Sequence, residues 1–135
     1  MINFNELKVG DYVLASNEGD VRRGQITRLN GDEKQVCVNN GVQDFWYELN
    51  QLDPIMIDDA ELAHLKFHKE VLADGSVKYG KGAFRMLIPS ADDFSKMEIW
   101  YRDETRHITR PIHLNELQNH FYEMTKVHLD ESGFD

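Results

Sequence analysis

The chain has little of what disulfide-linked or membrane-spanning architectures require. Its 135 residues include a single cysteine, Cys37, so no internal disulfide can form. No apolar run approaches the roughly 20 residues that a membrane-spanning helix needs. The opening MINFNELK also lacks the basic and apolar regions of a signal peptide. These absences predict a protein of a reducing, cytoplasmic compartment, with no membrane partner and with Cys37 buried or paired in a strand.

Positive charge is scarce too. The chain has 15 basic and 24 acidic residues, a net charge of −9. The excess of acid runs through both halves, and Arg22-Arg23 is the only adjacent basic pair. Binding to nucleic acid depends on clustered lysine and arginine, because they displace the counterions of the phosphates. The composition therefore disfavours a nucleic-acid partner. The acidity serves solubility, or it lets the protein mimic nucleic acid on a basic protein surface.

Catalytic and cofactor motifs are absent as well. Gly80-Lys81-Gly82 lacks the spacing of a phosphate-binding loop, and no serine stands in a G-x-S-x-G frame. The acidic pair Asp58-Asp59 fits the start of a helix, and Asp92-Asp93 falls in a polar break between strands. The sequence therefore predicts a protein that is not an enzyme and needs no cofactor.

Two histidines have a spacing that suits a metal on a helix. His64 and His68 are four residues apart, and Glu70 follows as an oxygen ligand. The helix that would carry them is predicted to end near Phe67, so the two imidazoles need not share a face. We therefore predict no metal site.

The first 56 residues alternate between short strands and turns. Strands are predicted after Val9-Gly10-Asp11 and over residues 23–29, 35–38, 44–49 and 52–55. Asn40-Gly41 is the strongest hairpin signal, because both residues tolerate positive φ. Short strands at this spacing predict a small closed barrel, and the entry VGDYV resembles the first strand of SH3-like barrels.

From residue 57 the apolar period becomes that of a helix. Asp58 is placed to cap it, with Glu61 three residues later as a capping box requires. A loop over 69–78 and irregular pairing at Gly80-Lys81-Gly82 are expected, followed by strands at 84–88, 97–102 and 106–112. A last helix from His113 carries one apolar stripe, formed by Leu114, Leu117, Phe121 and Met124.

The expected architecture is α+β. Residues 1–56 form an SH3-like barrel, and residues 57–135 form a connecting helix, a three-stranded antiparallel sheet and a C-terminal helix. Neither half is large, so the two are expected to pack as one unit.

Two segments resemble an uncharacterised family of small bacterial, prophage and phage proteins. In that family a barrel-like segment ends in I-x-P-I-x-L-T-E-E-x-L-x-x-L-G-F, and the chain closes with H-x-L-Q-N-L-Y-x-x-L-T-G. The matching positions here are Leu52, Pro54, Ile55, Ile57, Glu61, Leu62, Leu65 and Phe67, then Leu117, Gln118, Asn119, Phe121, Tyr122 and Thr125. Lys66 replaces a usual glycine, and Val127 follows Thr125 where glycine is expected. The resemblance implies a fold and a mobile-element origin, and no activity.

Function is expected to lie in binding. If Phe45 and Tyr47 face the barrel interior, Trp46 faces outward, where it covers the next helix or anchors a partner. Trp100 alternates with core-type neighbours in the same way, so Trp46 and Trp100 are the candidate partner-binding residues. Gln118-Asn119 is either a polar helix face or a hydrogen-bonding pair that fixes the helix against the sheet. We expect a non-enzymatic accessory protein that acts through a protein partner; the alternative is a nucleic-acid-associated SH3-like module or an acidic mimic.

Overall fold

The computed structural model of the protein describes residues 2–132. It is an α+β structure with two antiparallel five-stranded sheets and a C-terminal helix. The chain divides into two compact units. The first comprises Met1–Met56 with His113–Gln118, and the second Ile57–Ile112 with Asn119–Asp135. The C-terminal helix α2, Leu114–Thr125, therefore contributes residues to both units.

The first unit contains the five strands that the turn chemistry predicted. They are β1 Tyr12–Asn17, β2 Asp20–Asn30, β3 Gln35–Asn39, β4 Asp44–Glu48 and β5 Leu52–Asp53. Their order in the sheet is β4-β3-β2-β1-β5. Within the described residues β4 and β5 do not pair with each other, so no closed barrel is found there and the predicted barrel is not confirmed.

Tight turns set the register of this sheet. Glu18 and Gly19, both at positive φ, join β1 to β2, which pair from Asn17↔Asp20 to Tyr12↔Gln25. The alternate residues of these strands fill a mainly aliphatic core. Its buried members are Ile2, Leu7, Val13, Ala15, Ile26, Val36, Val38, Tyr47 and Leu52. At about 25 cal/mol per Å² of apolar area, such burial is the main stabilising term.

The short helix α1, Asp59–His64, opens the second unit. The predicted cap is confirmed, because Asp58 Oδ1 accepts from the backbone N–H of Glu61 at 2.8 Å. The helix ends with Lys66 at φ +67°, where the N–H groups of Lys66 and Phe67 bond the carbonyls of Ala63 and Leu62. This pair of hydrogen bonds is a Schellman motif, and the left-handed residue of that motif is usually glycine.

The second sheet has five strands, not the three that were predicted. They are β6 His68–Val71, β7 Val77–Lys81, β8 Phe84–Ile88, β9 Met97–Tyr101 and β10 Glu104–Ile108, in the order β10-β9-β8-β7-β6. Residues 69–78 are therefore a hairpin rather than a loop, although the predicted turn at Asp74-Gly75 is present. The pairing around Gly80 is regular, with Gly80↔Arg85 and Lys81↔Phe84 in one register.

Two features hid these strands from a periodicity argument. All four residues of β6 are exposed, so the strand has no apolar alternation. In β7 the core-facing positions are Val77, Tyr79 and Lys81, and a lysine stands where an apolar residue is expected. The Lys81 ammonium is satisfied there by the carbonyl oxygens of Leu65, Asp130 and Ser132 at 2.8–3.0 Å. Such contacts allow a cation to be buried.

Helix α2 carries the predicted apolar stripe, and the four residues of the stripe are all buried. In the second unit the Phe121 ring lies 4.7 Å from that of Phe84, which also meets Phe67 at 6.2 Å. In the first unit Gln118 is buried. Its Nε2 donates to the Gly10 carbonyl at 2.9 Å and its Oε1 accepts from the Tyr12 N–H at 2.8 Å. Gln118 therefore fixes the helix to the start of β1, which agrees with the interpretation of Gln118-Asn119 as a hydrogen-bonding pair.

Candidate functional site

Trp46 lies on β4, at the edge of the first sheet. Its side chain is 44% exposed, and it faces the same side as its partner across the ladder, Cys37. The guanidinium carbon of Arg28 is 5.3 Å from the ring centroid, and Arg28 Nη2 is 3.9 Å from the Cys37 sulfur. Cys37 is buried, as predicted. Trp46 is thus an exposed ring, packed on one side by a cation.

The alternation of β4 is as predicted, but Phe45 is less buried than a position facing the barrel interior requires. It shares the side of Tyr47, whose ring it meets edge-on at 6.5 Å, but it is 38% exposed, whereas Tyr47 is buried. The cause is the position of β4: an edge strand has a neighbour on one side only, so nothing covers the outer side of the Phe45 ring. Consecutive aromatic residues are therefore accessible on opposite faces of one edge strand.

A groove of about 300 Å³ lies on the Phe45 side of the first unit. Strands β1, β2 and β4 and the β3–β4 turn form its walls. Its lining residues are Ala15, Asn17, Asp20, Arg22, Asn40, Val42, Gln43, Phe45 and Tyr47. Val42 is 75% exposed, the most exposed large apolar residue of the described chain. The groove is thus open to solvent and has an apolar wall.

Two carboxylates flank Trp46 along β4. Asp44 and Glu48 point to the same side as Trp46 and are exposed. Asp44 accepts from the Asn39 amide and Glu48 from the Gln35 amide, each at 2.8 Å. Within the described residues neither forms an ion pair. The exposed ring therefore stands between two charges that no cation of the described chain neutralises.

Trp100 lies in the other unit, on β9 of the second sheet, and is half-buried. It pairs across the ladder with Arg85 on β8 and with Thr105 on β10. These three side chains therefore share the face of the sheet opposite to the core-facing Met86 and Ile99. Trp46 and Trp100 belong to different sheets, so each must be judged as the centre of its own surface.

Beyond Arg85, the same row continues to Gly80 and His68. Arg85 Nη1 donates to the carbonyls of Gly82 and Phe84, and the other guanidinium nitrogens have no acceptor in the described part of the chain. A Cβ on Gly80 would lie 3.0–3.3 Å from three atoms of the Arg85 side chain. The Arg85 side chain thus lies over Gly80, where the absence of a Cβ lets it stay close to the sheet.

An open pocket of about 450 Å³ adjoins the row, with three cations and one carboxylate in its wall. Lys78 pairs with Glu70 at 3.2 Å, and Lys69 pairs with Asp59 at 3.0 Å. The other lining residues are His68, Gly80, Gly82 and Arg85. Sequence reasoning missed this basic pocket, because it is assembled from β6 and β7, which were not predicted.

The histidines that were weighed as ligands are not brought together. His64 is the last residue of α1 and contacts Glu131 at 2.8 Å, whereas His68 begins β6. Over residues 2–132 no cluster of three histidine, cysteine or acidic side chains is placed to hold a metal. Neither described helix is long and apolar enough to cross a bilayer.

One buried carboxyl has a strongly shifted pKa. Burial raises the pKa of Asp11 from 3.8 to about 7, although the N–H and the charge of Lys8 oppose the shift. The carboxylate accepts from that N–H at 2.9 Å. Asp11 lies just before β1, so its charge affects the stability of the first unit.

Comparisons with protein-family models, with curated proteins and with solved structures found no match for this chain. The family resemblance of the two segments stays a prediction, and the surfaces described above are the features from which a function can be inferred.

Proposed function

We propose that this chain is a non-enzymatic binding protein whose first unit is an SH3-like barrel that captures an extended, basic segment of a partner protein along β4. The sheet order supports this fold, because a four-strand meander followed by a short strand that returns to β1 is the order of SH3-like barrels. The family resemblance adds a role as an accessory protein of a mobile element.

The observation that carries the proposal is the edge of β4. Its outer side has no partner strand in the described chain, and it presents Phe45 on one face and Trp46 on the other. Strand addition to such an edge obtains affinity from main-chain hydrogen bonds and specificity from alternate side chains. One set of partner side chains would enter the groove beside Phe45, and the other set would contact Trp46.

Charge selects the partner. Asp44 and Glu48 stand on either side of Trp46 and form no ion pair within the described residues, and the first 56 residues hold nine acidic and five basic residues. A segment with lysine or arginine at alternate positions would pair with both carboxylates. The same charge disfavours the nucleic-acid alternative, since a phosphate backbone would meet this surface with like charge.

Selection from a displayed library of random peptides tests the proposal. We expect the selected peptides to alternate basic and apolar residues. On binding, they should change the NMR chemical shifts of the protein's backbone amides in Asp44–Glu48. Trp46→Ala and Phe45→Ala should each weaken binding by about tenfold or more, because aromatic anchors dominate such interfaces. Raising the salt concentration should weaken binding further.

Val21→Ala is the matched control, since Val21 is an exposed apolar residue of the same unit that lies on β2. It should bind like the parent protein. If the selected peptides shift residues away from β4, or if Trp46→Ala and Val21→Ala behave alike, the β4 edge is not the binding surface.

A further inference from the structure

The open face of the second sheet carries a pocket rich in basic residues, whereas the whole chain is acidic. Three cations and one carboxylate line its pocket, whereas the protein carries a net charge of −9. The glycine at position 80 lets the Arg85 side chain lie flat against the sheet, with Trp100 opposite Arg85 on the next strand. Neighbouring strands are about 4.8 Å apart, so a cation and an indole ring stand side by side.

We infer that this face binds a phosphorylated small molecule with a planar ring, whose phosphate contacts Arg85 and Lys78 and whose ring lies against Trp100. This site lies on the second unit and does not depend on the β4 edge.

The donors favour phosphate over carboxylate. Arg85 is fixed by its Nη1 contacts to the turn carbonyls, and its remaining nitrogens are available to an incoming oxyanion. Such a planar donor pair suits the bidentate recognition of phosphate. Lys78 is held next to it only by the exposed Glu70 carboxylate. A phosphate monoester carries close to two charges and three acceptor oxygens, so it matches several donors better than a carboxylate does.

The ring favours a flat group over an aliphatic one. Trp100 is half-buried in the row, and its side chain faces the same side as Arg85. A nucleobase stacks well on an aromatic side chain, because every base has a flat π-face. Adenosine monophosphate combines both groups and is the probe of choice.

Fluorescence in a Trp46→Phe background tests the site, because Trp100 is then the only tryptophan. We expect saturable quenching by adenosine monophosphate, and much weaker effects from adenosine or inorganic phosphate alone. Arg85→Gln should raise the Kd by about tenfold or more, the value of a lost charge-assisted pair. Gly80→Ala should act similarly, since the added Cβ would displace Arg85.

Lys34→Gln is the charge-matched control, because Lys34 lies in the first unit and should leave the Kd unchanged. Melting curves of each variant establish that the fold is intact, and Arg85→Lys should bind with intermediate affinity because it keeps the charge. The absence of saturable quenching, tighter binding of benzoate than of the nucleotide, or tighter binding of a short single-stranded oligonucleotide would each overturn the inference. Loss of peptide capture at β4 would leave it untouched.

Discussion

The two sheets have the same number of strands and differ in where their aromatic residues lie. In the second unit the Phe84 ring contacts the rings of Phe67 and Phe121 in the core. In the first unit the core is mainly aliphatic, and Phe45 and Trp46 are exposed at an edge. Buried rings contribute apolar area to stability, and exposed rings are the residues that recognition favours. We therefore expect the same residue type to support folding in one unit and the proposed binding in the other.

The substitution with the largest expected effect removes a buried ring of the second unit. Phe121→Ala should lower the free energy of unfolding by roughly 3–5 kcal/mol, because it leaves a cavity beside Phe84. Chemical denaturation measures the change. Tyr122→Ala, next along the helix and 37% exposed, should cost far less. Equal losses in the two variants would mean that the aromatic core does not contribute as the contacts indicate.

A test of the first unit uses pH. Native Asp11 holds its proton up to about pH 7, whereas the unfolded chain releases it near pH 3.8. Stability should therefore fall as pH rises between these values and stay level above them. Asp11→Asn removes the charge, so the variant should be more stable at pH 8, by up to roughly 4 kcal/mol at about 1.4 kcal/mol per pKa unit.

At pH 4 the same variant and the parent protein should differ little. The comparison is made between the two proteins at each pH, so that the contributions of other carboxyl groups cancel. A constant difference across the whole range would show that folding does not raise the pKa of the Asp11 carboxyl.

A smaller effect is expected at the start of α1. Asp58→Ala removes the acceptor for the Glu61 N–H and should cost roughly 0.5–2 kcal/mol in thermal or chemical unfolding. Asp58→Ser supplies another capping oxygen and should retain most of the stability. If alanine and serine are equivalent at this position, the cap does not stabilise the second unit.

The smallest expected effect is an increase in stability. Lys66 has φ +67° at the end of α1, a conformation that costs a residue with a Cβ roughly 1–2 kcal/mol. Lys66→Gly should relieve it and stabilise the protein by up to about 1 kcal/mol, less the extra entropy of glycine in the unfolded chain. Ala63→Gly, inside the same helix, should destabilise instead, so opposite signs in the two melts are the expected result.

The sequence predicted the first unit better than the second, for a local reason. Strands β1 to β4 are separated by turn residues such as Asn40-Gly41, and those residues specify hairpins regardless of the rest of the chain. The N-cap at Asp58 and the stripe of α2 were predictable in the same way. Phe45 lies on the predicted face but is exposed, because the alternation shows which face a ring occupies and not whether another strand covers it.

The second sheet depended on contacts that no local pattern reports. Lys81 is buried because the carbonyls of Asp130 and Ser132, about 50 residues later, accept its hydrogen bonds. Without them a lysine at that position predicts an exposed strand or a loop. The row of Trp100, Arg85 and Gly80 likewise follows from the register of three strands, and the two glycines beside Lys81 wrongly indicated irregular pairing there.

The Gln118 side chain has a consequence for the order in which the protein is made. It bonds Gly10 and Tyr12 at the start of β1, residues 108 and 106 positions earlier in the chain. During synthesis the five strands of the first unit emerge from the ribosome long before this residue does. The Gly10 carbonyl already has a donor from β2, Gln25 Nε2 at 3.1 Å, whereas the bond from the Tyr12 N–H to Gln118 must await the synthesis of α2.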